Sequence, residues 1–198
     1  MSAAERDKWD ARYRDGAYRD RTHPTALLAK WLPRLARGHA LDVACGAGRN
    51  ALYLAANGFA VSALDISTVA LERGRRDAVA RGLSIDWRCA DLDGDLDEAL
   101  PPGPFELIVW VRYVHRSLMP HLVARLADGG MLLCEQHLAT TTPVAGPTSA
   151  EFRLAPGELA RWARALTVLD SHEGLLNDPD DQQVALAQLV AVKGLQSG

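Results

Sequence analysis

The segment LDVACGAGRN, residues 41–50, limits what this chain can fold into more than any other stretch. A short apolar run leads into Gly46 and Gly48, and the helical period of AGRNALYLAANG takes over at once, so the backbone passes from strand to tight loop to helix. Glycines there leave room for a ligand against the backbone and for conformations that a Cβ would penalise. The helix that follows opens with N–H groups that have no partner within the helix. A Gly-x-Gly loop is by itself also a plain turn, so its meaning depends on the rest of the chain.

The rest of the chain alternates short apolar runs with amphipathic segments. TALLAKWLPRLARG spaces Leu27, Leu28, Trp31, Leu32 and Leu35 by threes and fours, as in a helix that stops near Gly38 and is limited or kinked by Pro33. HALDVAC, AVSALD ending at Asp65, and SIDWRCAD ending at Asp91 read as three strands. Between them lie the helix after the glycine loop, closed at Gly58, and STVALERGRRDAVARG, opened by Ser67. FELIVWV, residues 105–111, is apolar almost throughout, as expected for a central parallel strand covered on both faces. SLMPHLVARLADGG predicts a helix with a glycine stop, MLLCEQH a fifth strand, ATTTPVAGPTSAEFRLA a loop, and PGELARWARAL a helix with Pro156 near its first turn. TVLDSHEG and QVALAQLVAVKG then follow at hairpin spacing. The expected fold is a single-domain, Rossmann-like α/β architecture. Its seven-stranded sheet is mostly parallel with the last strand antiparallel, and helices cover both faces. Residues 1–24 carry Trp9, Tyr13 and Tyr18 among Arg and Asp around a break at Gly16, and read as an N-terminal arm or lid ahead of a domain over 25–198.

Composition excludes several functions. A length of 198 residues suits one domain, and a formal net charge of −3 gives no long-range attraction for phosphate backbones. The basic residues, 19 Arg and 3 Lys, are spread along the chain, so nucleic acid is not an expected partner. Cys45, Cys89 and Cys134 are far apart, with neither a CxxC pair nor histidines at zinc-finger spacing, and no metal site is read from them. The start is charged from Glu5 and lacks the apolar core of a secretory signal. No apolar run approaches the ~18 residues of a membrane span. The expected location is the cytoplasm, with no membrane partner.

Two aspartates give the glycine loop its meaning. Asp65 ends the second strand 17 residues after Gly48, where a carboxylate in a doubly wound fold can accept both hydroxyls of a ribose. Asp91 ends the third run at the same sheet edge, where a carboxylate can accept a hydrogen bond from an adenine amino group. Ligands in open α/β sheets bind outside the carboxyl ends of the strands, and all three features fall there.

With these residues in place, the chain resembles the class I S-adenosylmethionine-dependent methyltransferases from about Thr25 to Lys193. The family's acidic residue followed by Gly-x-Gly-x-Gly reads here as Asp42, Ala44, Gly46 and Gly48, with alanine at the first glycine. The resemblance implies S-adenosylmethionine as cofactor. It places the methionine part on Asp42, Ala44, Cys45, Gly46, Gly48 and Asn50, the ribose on Asp65, and the adenine by Ile66, Asp91 and Leu92. Trp110 and Val111, with Arg112, would lie beside the reacting methyl, and Trp9 and Tyr13 of the arm would cover the cofactor. Within the family, Trp9, Asp10 and Tyr13, the run CGAGRNALYLAANGFAVSALDIS, Tyr113 to Arg116, and Phe152, Arg153 and Glu158 are similar to the small bacterial tellurite-resistance and thiopurine-type group.

Gly46, Gly48 and Ala51 followed by Asp65 also fit a nicotinamide-dependent oxidoreductase. Against that stand Asp42, which would repel a pyrophosphate but attract an α-ammonium group, the Asp91 that a nicotinamide would not need, and the lack of a Tyr-x-x-x-Lys pair. A binding module that holds the cofactor or its product without turnover is the other alternative. The fourth strand ends in WVRYVHR, without the Asn/Asp-Pro-Pro-aromatic pattern of base-methylating enzymes and without an acidic magnesium ligand. The expected acceptor is therefore a small molecule: a thiol, a metalloid oxyanion or a small metabolite. His115, Arg116 and Arg112 are the candidate catalytic residues. His115 would orient or deprotonate an acceptor near neutral pH, the arginines would attract an anionic one, and His137 is a further candidate of the same kind.

Overall fold

A computed structural model describes residues 3–194. In chain order the elements are α1 (Ala3–Arg14), α2 (Ala26–Trp31), β1 (His39–Val43), α3 (Arg49–Ala56), β2 (Ala60–Asp65), α4 (Thr68–Ala80), β3 (Ile85–Cys89) and α5 (Leu96–Ala99), then β4 (Phe105–Val111), α6 (Leu118–Arg125), β5 (Leu126–His137), α7 (Glu158–Trp162), β6 (Thr167–Asn177) and β7 (Gln183–Val192). The strands form a seven-stranded sheet in the order β3-β2-β1-β4-β5-β7-β6. The expected α/β architecture is present, with β7 running antiparallel to both of its neighbours.

The contacts divide the chain into two compact units, one comprising residues up to 24 with 37–102, the other residues 25–36 with 103 onward. In the first, β1 and β2 pair in parallel from His39↔Ala60, and β2 pairs with β3 from Val61↔Ile85. β1 is buried from its second residue on, and α3 buries Asn50, Ala51, Leu52 and Leu54, the stripe its period predicts. The Ser67 hydroxyl accepts from the Ala70 N–H, so it caps α4 as expected.

In the second unit β4 is the central, nearly fully buried strand that its apolar run implies, and it pairs in parallel with β5. Three boundaries differ from expectation. α2 ends at Trp31 and continues only as a 3-10 turn over Leu32–Arg34, because Pro33 has no N–H to extend the helix. β5 starts at Leu126 rather than after the glycines, which sit in a register shift between the pairs Phe105↔Leu126 and Leu107↔Met131. α7 spans only Glu158–Trp162, with left-handed Gly157 at its N-cap and Pro156 outside it. The closing strands pair along β6 from Thr167↔Val192 to Asn177↔Gln183. α5, which the apolar pattern did not announce, starts at Asp95, whose carboxylate accepts from the Asp97 and Glu98 N–H groups.

Candidate functional site

The glycine loop lies entirely in the first unit. From its start every second residue takes a positive φ: Ala44 at 53°, Gly46 at 58° and Gly48 at 78°. Left-handed residues at alternate positions turn backbone polar groups toward one side and leave a concavity suited to a polar ligand. Asp65 closes it from the next strand: Oδ2 accepts the Gly46 N–H at 2.7 Å and Oδ1 accepts the Ser67 N–H at 2.8 Å. Burial raises the Asp65 pKa, and the Ser67, Gly46 and Ile66 N–H groups work against that rise. The Gly46 carbonyl receives the weak Cys45 thiol contact at 3.4 Å.

Asp42 lies below the loop, 1% exposed, with Oδ2 accepting the Ala51 N–H at 2.9 Å. Burial pushes its pKa up to about 7, so near neutrality it is held between its neutral and charged forms. Burial, with Asp42 and Asp65 nearby, also raises the Cys45 pKa far above its usual value, and burial takes Cys134 up to about 12. Both are kept as thiols near neutral pH.

The arm packs onto the same loop. Asp10, 5% exposed, accepts from Ser67 Oγ at 2.7 Å, Thr68 Oγ1 at 2.9 Å and the Val69 N–H at 3.2 Å, so a residue of α1 helps to cap α4. Arg73 of α4 donates back to the Ala17 and Tyr18 carbonyls. Trp9, Tyr13 and Tyr18 pack ring against ring at 6.4 and 5.8 Å, with the Arg12 guanidinium over Trp9 at 4.9 Å. A Cβ on Gly46 would collide with the Tyr13 hydroxyl, and one on Gly48 with the Trp87 ring. Gly46 therefore admits the arm, while Gly48 admits a strand side chain as well as easing the turn. Burial, with Asp65 and Cys45 adding to it, holds the Tyr13 phenol well above its usual pKa.

The remaining cofactor candidates sit along the same strand ends. Asn50 is buried in the first turn of α3 and Ile66 follows Asp65, its carbonyl accepting the Cys89 thiol at 3.5 Å. Asp91 stands in the turn after β3, where Oδ1 accepts the Asp93 N–H at 3.0 Å, and Leu92 beside it is buried.

In the second unit the end of β4 is held by charge. Arg112 has a φ of 57° and donates Nε to Glu135 at 3.1 Å, and Nη1 and Nη2 to the two oxygens of Asp178 at 2.7 and 2.9 Å. Gln188 completes the group by donating to the other Glu135 oxygen at 2.8 Å. Burial would lower the Arg112 pKa, but Asp178 and Glu135 outweigh it and raise it. Its guanidinium is engaged on both edges. Arg116 is tied as well, to Glu158 at 2.9 Å and to the Glu151 and Arg153 carbonyls. His115 is half-buried, stacks on Tyr113 at 5.9 Å, and has the Ser117 hydroxyl 3.4 Å from Nδ1. Trp110 is fully buried, donates its indole N–H to the Tyr113 carbonyl at 2.7 Å and stacks on Trp162 at 5.7 Å, and Val111 pairs with Glu135. His137 is almost buried beside Gly146, and its carbonyl accepts the Leu154 N–H at 2.8 Å, closing the long loop onto the end of β5. No local pattern marks Asp178, Glu135 or the capping role of Asp10, since each works through a partner remote in the chain.

Residues 40–130 match the family model described as a methyltransferase domain. The ribosomal protein L11 methyltransferase of Symbiobacterium thermophilum is 33% identical over 124 residues, which are 60% of this chain and 39% of that protein. The ubiquinone biosynthesis O-methyltransferase of Xanthomonas euvesicatoria is 25% identical over 183 residues, 81% of this chain and 75% of the relative. Among solved structures, TehB from Haemophilus influenzae superposes with a TM-score of 0.71 at 20% identity, over 84% of this chain and 61% of its own. This chain thus spans about two fifths of the first of these relatives and about three fifths of TehB. The match to the methyltransferase-domain model begins in β1 and runs through the glycine loop and Asp65 into β5.

Proposed function

We propose that this chain transfers a methyl group from S-adenosylmethionine to a small-molecule acceptor. The observation that carries the reading is the loop of alternate left-handed residues 44–48 braced by Asp65. The Gly46 carbonyl and the carboxylate of Asp42 suit the α-ammonium group of the methionine part. Asp65 offers its carboxylate oxygens to ribose hydroxyls alongside its backbone bonds, and Ile66, Asp91 and Leu92 border the adenine. When bound, the cofactor supplies a methyl already activated by its sulfonium charge.

The protein's share of the work is alignment and the exclusion of water. Tyr13 stands against Gly46 with Trp9 packed on it, and aromatic faces suit a cationic sulfonium. The Arg112–Glu135–Asp178 group fixes the turn after β4 and so the direction in which Tyr113 and His115 leave it. His115 orients the acceptor or takes its proton if the acceptor is acidic enough to need it. The acceptor is a thiol, a metalloid oxyanion or a small metabolite, with no nucleic acid involved. A radiolabelled-methyl screen over thiols, tellurite, selenite and small aromatic acids tests this. Label transfer to one class, lost in Asp65→Ala, is the expected result. Tight S-adenosylhomocysteine binding with no transfer to any acceptor would point instead to a non-catalytic binding module.

A further inference from the structure

Among the described residues of α1, Asp10 alone is buried, so the helix sinks a carboxylate into the unit where an apolar side chain would be expected. Such burial is costly unless the oxygens are bonded, and here both are: Ser67 Oγ and the Val69 N–H donate to Oδ1, and Thr68 Oγ1 donates to Oδ2. Ser67, itself fully buried, faces two carboxylates. Its hydroxyl donates to Asp10 at 2.7 Å, while its backbone N–H donates to Asp65 Oδ1 at 2.8 Å. Asp65 Oδ2 in turn accepts the Gly46 N–H at 2.7 Å. One line of hydrogen bonds therefore runs from the arm to the glycine loop through Asp10, Ser67, Asp65 and Gly46. The two carboxylates also feel each other: burial is the main cause of the raised Asp65 pKa, and the Asp10 charge adds to it.

We propose that Asp10 is a positioning residue of the cofactor site, acting through Ser67 to hold Asp65 where it meets the ribose. The inference rests on the methyltransferase reading above and adds to it a residue from outside the loop and the strand ends. The Ser67 hydroxyl is fixed between the Ala70 N–H, which donates to it, and Asp10, which accepts from it. Removing Asp10 leaves a buried hydroxyl hydrogen without its acceptor, and Ser67 shifts to satisfy it, taking along the N–H that orients Asp65. By linkage, a cofactor that fixes Asp65 also fixes Ser67 for Asp10, so cofactor and arm tighten one another by the same factor.

Titration calorimetry of the full chain with S-adenosylhomocysteine tests this. Asp10→Ala should bind about fivefold more weakly or worse, within the range of coupling between sites. Asp10→Asn removes the same charge but keeps an oxygen for Ser67 Oγ and the Val69 N–H, and it should recover most of the affinity. Ser67→Ala cuts the line from the other side while Asp10 keeps Thr68 and Val69, so the arm stays docked. It should show the same weakening, and it carries the test if Asp10→Ala does not fold. The double variant should be no weaker than either single one, since both break one link. Native affinity in Asp10→Ala or in Ser67→Ala, or an Asp10→Asn variant as weak as Asp10→Ala, would overturn the proposal while leaving the methyltransferase reading intact. A native protein that does not bind S-adenosylhomocysteine would overturn that reading, and this inference with it.

Discussion

Ala44 stands where the first glycine of the Gly-x-Gly-x-Gly motif it resembles would be, and its φ of 53° means that the loop is under strain at this residue. A left-handed conformation costs an L-residue roughly 1–2 kcal/mol, partly offset in the unfolded chain by the smaller freedom of alanine. Ala44→Gly is expected to raise stability by about 0.5–1 kcal/mol, measured by denaturant melts at unchanged slope. Asp42 has a second signature. The folded protein holds its proton up to about pH 7, whereas an exposed aspartate loses it near pH 4. Its contribution to stability is therefore full at low pH and fades as pH rises through about 7. A bound ammonium group favours the charged form, so S-adenosylhomocysteine should bind more weakly as pH falls from about 8 to about 6, and calorimetry on Asp42→Asn should find that dependence flattened. Both positions were singled out in the sequence by residue type and spacing within the loop. The collision that keeps Gly48 a glycine was not, since Trp87 reaches it from another strand.

At the scale of elements, strands and helices came through wherever hydrophobic period decides them, and the misses have local causes. The short helix α5 depends on the Asp95 cap and not on a stripe, and α2 was shortened by one proline. What the period cannot carry is which element an exposed-looking polar residue will serve. Asp10 reads as one charge of a polar arm, yet it is buried at the start of α4, 57 residues away from Ser67. Burial tends to raise its pKa, but bonds from Ser67, Val69 and Thr68 win and lower it. Its support is thus present above about pH 4 and is lost as pH falls through its lowered value. Asp10→Ala should cost about 1–3 kcal/mol, a fall of roughly 2–12 °C in melting temperature. The arm should then be released to proteolysis before the rest of the chain, and equal protection of the arm in the variant would contradict its anchoring role. Arg112 makes the same point: its partner Asp178 is 66 residues away in the chain, and no local pattern links them.

For the whole molecule, the number of strands and the antiparallel course of the last followed from the alternation of runs and from hairpin spacing at the end, and the seven-stranded sheet with antiparallel β7 agrees with it. The edge position of β6 was not legible, because β7 inserts between β5 and β6 only in three dimensions. The central claim is that the braced loop is a cofactor site for a sulfonium donor, and it is tested most directly by thermal shift with S-adenosylhomocysteine. Ligand at 100 times its dissociation constant adds about 2.7 kcal/mol, which for a chain of this size is a rise of about 5 to 11 °C. The account predicts that rise for the native protein, little for NAD, and the loss of most of it in a folded Asp65→Ala variant. No rise with S-adenosylhomocysteine, or a larger one with NAD, would contradict it.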